Sequence, residues 1–334
     1  MVRVMAYPER ILRVGVIGLG AMGELHVRTY CGFPDVTVVG VTDIDPEKLS
    51  KVESQYNAPG YRSIRELLEQ PLDAVSVCVP THLHCEVGLQ VIERRIALLM
   101  EKPLARTVRE GESLVSRARQ DGVIIMVGHI ERFNPVSRHI KALLKPDEAV
   151  SIQVNRVGPF PPRIRDVGVI TDLGAHDIDL VRFICDSDFK HVFAVSSNNH
   201  GSHEDAAIII AQMESGTLAQ ITTNWITPYK SREIRVATRD RYIEGNLITQ
   251  QIKEYSGYSR PGPTYQVREW YPTYKEPIKE ELTQFLSAVR GEQASPIPGE
   301  DGLYVLTVIE RIISSIPPTH QSHRQPMTQT DGME

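Results

Sequence analysis

Three residues far apart in the chain are of types that can move a proton: Lys102, Asp172 and His176. Lys102 stands in Glu101-Lys102-Pro103, directly after the apolar run Ile96-Ala97-Leu98-Leu99-Met100. Partial desolvation there lowers a lysine pKa towards the range useful for proton transfer, yet the same spacing suits a surface lysine paired with Glu101. Asp172 and His176 lie four apart in Asp172-Leu173-Gly174-Ala175-His176, so on a helix they project from one face. A carboxylate and a neutral imidazole so placed can position a hydroxyl group and accept its proton. A capping Asp172 with a structural His176 is the competing reading, and spacing does not exclude it. His82-x-His84 and His200-Gly201-Ser202-His203-Glu204-Asp205 contain metal-ligand types without complementary zinc-site spacing, so no metal is expected.

Gly18-Leu19-Gly20-Ala21-Met22-Gly23 offers a different chemistry, the holding of a phosphate. It follows the strand-like run Arg13-Val14-Gly15-Val16-Ile17 and opens helical periodicity from Ala21. Gly18 permits the tight turn, Gly20 lets the backbone approach a pyrophosphate, Gly23 allows close helix-strand packing, and the helix N-terminus favours negative charge. Asp43 ends the next strand-like run, twenty residues beyond Gly23. A carboxylate there accepts hydrogen bonds from the adenosine ribose hydroxyls and repels a 2'-phosphate, so the expected cofactor is NAD rather than NADP. Pro80-Thr81-His82 and Glu101-Lys102-Pro103 follow the third and fourth apolar runs, at strand ends that would face the ligand crevice of an open parallel sheet. The residues expected to touch the cofactor are Gly18, Gly20, Ala21, Met22, Gly23, Asp43, Pro80, Thr81, His84, Glu101 and Lys102.

The elements that must position these groups fall into two textures. Up to about residue 130, short apolar strands alternate with helical segments, the pattern of a parallel sheet covered on both faces. After about residue 148 longer alternating strands follow, such as SIQVNRV, AAIIIAQM, GTLAQITTNWI and REIRVATR, which suggest an antiparallel sheet. A helix is expected from Asp172 to Cys185, with two more near 277–290 and 300–315. The fold class is thus α/β: an N-terminal Rossmann fold over 10–130, an α+β domain on a large, mostly antiparallel sheet over 131–316, and a polar tail over 317–334. A length of 334 residues agrees with two domains at roughly 150 residues each.

Composition narrows the partners. With 41% apolar and 24% charged residues and a net charge of -5, the chain carries no electrostatic footprint for nucleic acid or an anionic membrane. Cys31, Cys78, Cys85 and Cys185 show no C-x-x-C pair and read as reduced structural thiols. No signal-peptide pattern and no apolar run of about 18 residues occurs, so a cytoplasmic location is expected.

In their order along the chain, the glycine turn, Pro80-Thr81-His82, Glu101-Lys102-Pro103 and the Asp172-to-His176 segment resemble the Gfo/Idh/MocA oxidoreductase family. The resemblance implies that Lys102, Asp172 and His176 form the catalytic group, and that one sheet face of the second domain serves a homodimer or homotetramer. A narrower similarity concerns the segment from Gly128 to Pro135, which includes Arg132 and Asn134, and the segment from Arg156 to Gly168, which includes Arg163 and Arg165. Both look like the branch that oxidises UDP-N-acetylglucosamine at its 3-hydroxyl. Membership of that branch implies a UDP-linked amino sugar as substrate, bound by Lys102, Arg132, Asn134, Arg163, Arg165, Asp172 and His176. Arginines beside a proline-stiffened loop would suit its diphosphate. Where many relatives carry paired glycines ahead of the helix, this chain has Val169-Ile170-Thr171. An inositol or simple-sugar dehydrogenase of the same family, and an NAD-binding regulator without catalysis, are the alternatives.

Overall fold

The computed structural model describes residues 10–145, 148–161, 167–199, 203–259 and 264–317. Arg163 and Arg165, and the expected polar tail beyond Pro317, lie outside the described residues.

Six parallel strands form the first sheet: β1 (Leu12–Ile17), β2 (Val36–Thr42), β3 (Gly60–Tyr61), β4 (Ala74–Val77), β5 (Ala97–Glu101) and β6 (Ile125–Gly128). Their spatial order is β3-β2-β1-β4-β5-β6, with the chain reversing direction across the sheet between β1 and β4. Helices α1 (Ala21–Cys31), α2 (Pro46–Tyr56), α3 (Ile64–Leu68), α4 (His84–Glu93) and α5 (Val108–Asp121) link them. β4, β5 and β6 are buried along their whole length, as strands covered on both faces must be. The reversal leaves a crevice beyond the carboxyl ends of β1 and β4, where open α/β sheets take their ligands.

The second sheet has eight strands. After α6 (Pro135–Leu143) come β7 (Ser151–Pro159), α7 (Ala175–Cys185), β8 (Phe189–Ser197), β9 (Ala206–Met213), β10 (Leu218–Asn224), β11 (Ile226–Ala237), β12 (Arg241–Asn246), β13 (Gln251–Ser259) and β14 (Thr264–Trp270). In the order β14-β13-β12-β11-β7-β10-β9-β8 only β7 and β10 run parallel; the other neighbours are antiparallel. Alternation decides the faces. Ile152 and Val154 of β7, Ile209 of β9, and Ile234 and Val236 of β11 point inward to the second core, to which α6 and α7 also contribute. Phe193, Val195, Ile208, Ile210 and Leu218 stand exposed on the outer face.

The last two helices, α8 (Pro277–Val289) and α9 (Gly299–Ser315), do not close the second domain alone. Ile278, Leu282, Phe285 and Leu286 of α8 pack into the core of the first domain. α9 divides its apolar residues, Leu306 going to the first core and Val305, Val308, Ile309 and Ile312 to the second. The boundary expected at residue 131 therefore has no counterpart at the C-terminal end, where α8 returns to the first domain and α9 ties the two cores together.

Candidate active site

At the first β-α turn Gly18 adopts a φ of +88°, and a Cβ there would lie 2.7 Å from the Cys78 carbonyl oxygen. A Cβ at Gly23 would lie 1.8 Å from the Gly18 carbonyl oxygen, so α1 can start only against a hydrogen. At Gly20, by contrast, a Cβ would meet nothing within 4 Å. That open space lies at the N-terminus of α1, which no side chain caps, and it suits a pyrophosphate. Asp43 is held at the edge of the same turn, its carboxylate accepting from Leu19 N at 2.5 Å and Asp45 N at 2.8 Å. The geometry fits a dinucleotide with its ribose beside Asp43.

Lys102 follows β5 directly, and its Nζ donates to Asp172 Oδ1 at 2.7 Å and to the Asp172 carbonyl oxygen at 2.9 Å. Both side chains are 14% exposed. This decides one ambiguity, because Glu101 is occupied elsewhere: Oε1 meets His26 Nε2 at 3.1 Å and Oε2 accepts from Lys102 backbone N at 3.3 Å. Beyond His26 a chain of hydrogen bonds runs to Ser76 at 3.0 Å and on to Tyr30 at 2.8 Å. His26, Cys78 and Glu101 bring ligand-type atoms within 4.8 Å of one another, but both ring nitrogens of His26 are engaged in that chain.

Asp172 lies in a single π-helical turn, Ile170–Gly174, that runs straight into α7. Such widened turns often mark functional sites. Val169 and Ile170, standing where the resemblance leads one to expect glycines, are fully buried in the second core and anchor the turn. Glu204 adds a bond to the Ile170 backbone N at 3.2 Å. His176 follows at the start of α7; its Nδ1 is buried with no protein partner among the described residues. Burial, and then the cations Lys102, Arg156 and Arg232 together with His129, push its pKa well below the ordinary histidine range. A lysine, a carboxylate and a neutral imidazole thus gather at the carboxyl end of β5, separated by β4 from the strand that leads into the dinucleotide turn, an arrangement able to take a proton from a substrate alcohol.

Residues 12–129 match the family described as "Oxidoreductase family, NAD-binding Rossmann fold", and residues 149–244 match the GFO/IDH/MocA C-terminal domain. The chain belongs to the Gfo/Idh/MocA oxidoreductase family. It therefore has an NAD-binding Rossmann domain and is an oxidoreductase. It is 26% identical to the UDP-N-acetylglucosamine 3-dehydrogenase of Acidithiobacillus ferrooxidans over 298 residues, 88% of this chain and 94% of that one. To the myo-inositol 2-dehydrogenase of Thermotoga maritima it is 24% identical over 312 residues, 88% of this chain and 93% of that one. The solved structure of the Acidithiobacillus ferrooxidans enzyme GnnA superposes with a TM-score of 0.85 at 24% identity, covering 91% of this chain and 97% of that one. Among the described residues no helix is long and apolar enough to cross a membrane.

Within this Gfo/Idh/MocA chain several residues expected at the ligands do structural work instead. Arg132 is buried, bonding Asp179 at 2.5 and 2.8 Å and Asp301 at 2.8 Å, so its guanidinium joins the turn after β6 to α7 and α9. Asn134 caps α6, its Oδ1 accepting from Val136 N at 3.1 Å while Nδ2 donates to the Leu247 carbonyl at 3.0 Å. Neither side chain is presented to a substrate. His84 is buried with its ring nitrogens 2.7 Å from the Pro103 oxygen and 2.9 Å from the Val79 oxygen, which makes it a strut between two strand ends rather than a cofactor contact. Pro80 and Thr81 follow β4 past its carboxyl end, Pro80 directly ahead of the turn Thr81–Leu83.

Two residues not singled out for a role from spacing belong to the site. His129 follows β6, and because Glu101 pairs with Gly128, it stands beside Lys102 at the adjacent strand end. It is buried, its ring nitrogens have no hydrogen-bond partner among the described residues, and its nearest carboxylate is Asp179 at 4.0 Å. Arg232 reaches the same region from β11. The strand register is the signal that would have found both.

The low pKa of His176 has a kinetic consequence. The charged imidazolium is disfavoured, so the ring stays neutral and base-competent at pH values where an ordinary histidine, near about 6.5, would be protonated. The pH profile of kcat is expected to show no acid limb from His176 between about pH 6 and 8. A limb centred near pH 6.5 that vanishes in His176→Gln would overturn this placement.

Proposed function

We propose that this enzyme uses NAD to oxidise the 3-hydroxyl of UDP-N-acetylglucosamine, giving the 3-keto sugar nucleotide. The observation that carries the reading is the Lys102–Asp172 pair at 2.7 Å at the carboxyl end of β5, with His176 following the Asp172 turn at the start of α7. NAD, when bound, supplies the electron acceptor for the carbon-bound hydrogen and its electron pair. Neutral His176 takes the hydroxyl proton. The Lys102 ammonium donates a hydrogen bond to the oxygen as negative charge develops on it, and Asp172 keeps that ammonium aimed. The relationship to the Acidithiobacillus ferrooxidans UDP-N-acetylglucosamine 3-dehydrogenase supports the choice of substrate.

The Thermotoga maritima relative keeps a second reading in view, oxidation of an inositol by the same three residues. The test is absorbance at the NADH band after mixing enzyme and NAD with UDP-N-acetylglucosamine, UDP-glucose or myo-inositol, with an amino-acid donor such as glutamate and an aminotransferase present to convert the keto product into an amino sugar. Turnover confined to the N-acetylated sugar nucleotide is the expected result. Turnover with myo-inositol alone would replace the substrate and leave the proton chemistry standing.

A further inference from the structure

We propose that Arg232 binds an anionic group of the substrate beside the reacting alcohol, and that it is the residue by which this site selects charged sugars over neutral polyols. The proposal deepens the sugar-nucleotide reading and rests on it for the identity of the anion. Arg232 on β11 stands directly opposite Arg156 on β7, on the inner face that packs against α7. Two like charges across an antiparallel pair are unfavourable unless anions separate them. Arg156 takes those anions for itself. It is 3% exposed, with Nε 2.7 Å from Asp177 and Nη1 2.9 Å from Glu131.

Arg232 is left with the remainder. Its one side-chain bond among the described residues is Nη1 to the already shared Glu131 oxygen at 3.3 Å, and its side chain is 41% exposed. A guanidinium carries five donors in a planar fork, so four of these have no partner among the described residues. Its bond to Glu131 and its pairing with Arg156, which in turn holds Asp177 next to His176, place it at this end of the sheet, and its charge is among those acting on His176. Burial and the facing Arg156 both disfavour the Arg232 cation, and an incoming anion would relieve them. A neutral polyol offers hydroxyls, which do not need a fixed positive charge. A phosphate or carboxylate accepts two parallel N–H bonds from such a fork, the pairing for which arginine is suited. The diphosphate of a sugar nucleotide and the carboxylate of a uronic acid share this chemistry.

The experiment uses the full-length enzyme with NAD. KM and kcat are measured for UDP-N-acetylglucosamine, glucuronate, N-acetylglucosamine and myo-inositol, with UDP as a competitive inhibitor, in wild type, Arg232→Met and Arg232→Lys. Losing a hydrogen bond to a charged group predicts a KM for UDP-N-acetylglucosamine raised roughly 10- to 100-fold in Arg232→Met, with inhibition by UDP weakened in parallel and kcat changed far less. Arg232→Lys should recover part of the loss, and NAD affinity and unfolding midpoint should stay at wild-type values. A wild type that turns over UDP-N-acetylglucosamine, with neither variant altering KM, overturns the role of Arg232 and leaves the substrate standing. Preference for glucuronate over every UDP sugar, lost in Arg232→Met, supports Arg232 while removing the sugar-nucleotide reading. Preference for myo-inositol over every anionic probe overturns both. Should Arg232→Met fail to fold, the lysine variant together with UDP inhibition of the wild type decides between the same outcomes.

Discussion

Lys102→Met lowers kcat by about 10²- to 10⁴-fold, the range that a positioned proton-handling group contributes. Methionine keeps the length and apolar stem of lysine, so the change removes the ammonium with little effect on packing. Lost with it are the two bonds that hold Asp172, one to its carboxylate at 2.7 Å and one to its carbonyl at 2.9 Å. The π-helical turn then loses its tie to the first domain, and the hydroxyl loses its cation. NAD affinity should fall far less than kcat, because the glycine turn and Asp43, which carry most of the expected cofactor contacts, lie on other strand ends. The checks are stopped-flow absorbance at the NADH band and a calorimetric titration with NAD. A variant that keeps more than about a tenth of wild-type turnover is incompatible with a proton-handling or charge-stabilising Lys102.

Arg156→Met is expected to be the most destabilising of the changes considered, by about 3–5 kcal/mol. Its guanidinium is enclosed between Asp177 at 2.7 Å and Glu131 at 2.9 Å, and removing it leaves two buried carboxylates facing each other. Glu131 retains Arg232 at 3.3 Å, whereas Asp177 Oδ2 already lacks a hydrogen-bond partner among the described residues. Burial pushes the Asp177 carboxyl up to about 6 even with Arg156 in place. The folded protein therefore holds that proton more tightly than the unfolded chain, whose Asp titrates near about 3.9. Folded stability from this group is fully present below about pH 4 and is lost as pH rises through about 6. Without Arg156 the window moves upward, so the deficit of Arg156→Met against wild type is larger at pH 8 than at pH 5. Urea unfolding at the two pH values measures it. Equal deficits at both would show that Asp177 does not depend on Arg156.

The dinucleotide turn was legible because its constraint is local. Gly18 and Gly23 answer to a backbone angle or a contact within a few residues or at the facing strand end, Gly20 leaves open space at the start of α1, and the required spacing is written in the chain. The helix bearing His176 and the change to alternating strands were legible for a similar reason, since burial on one face imposes a period. Arg132 and Asn134 were misread as substrate contacts. Nothing in their neighbourhood along the chain reveals Asp179 and Asp301, which bind the arginine, or Leu247, which accepts from the asparagine. α8 was assigned to the second domain by its place in sequence, yet its apolar stripe fits α1 and the first core.

By itself the sequence determined a parallel nucleotide-binding sheet followed by a mostly antiparallel one, an NAD turn, and three residues of the right chemical type. It left Lys102 undecided between a desolvated lysine suited to proton transfer and a surface lysine paired with Glu101. Only the tertiary structure paired it with Asp172, seventy residues on, turned Arg132 inward to an ionic network, and set Arg232 opposite Arg156 with one side-chain bond among the described residues. The physical reason is range. Turns, caps and periodicity depend on neighbours in the chain, whereas the partner of a charge depends on which opposite charge the packed elements carry to within about 4 Å of it, and no local pattern encodes that.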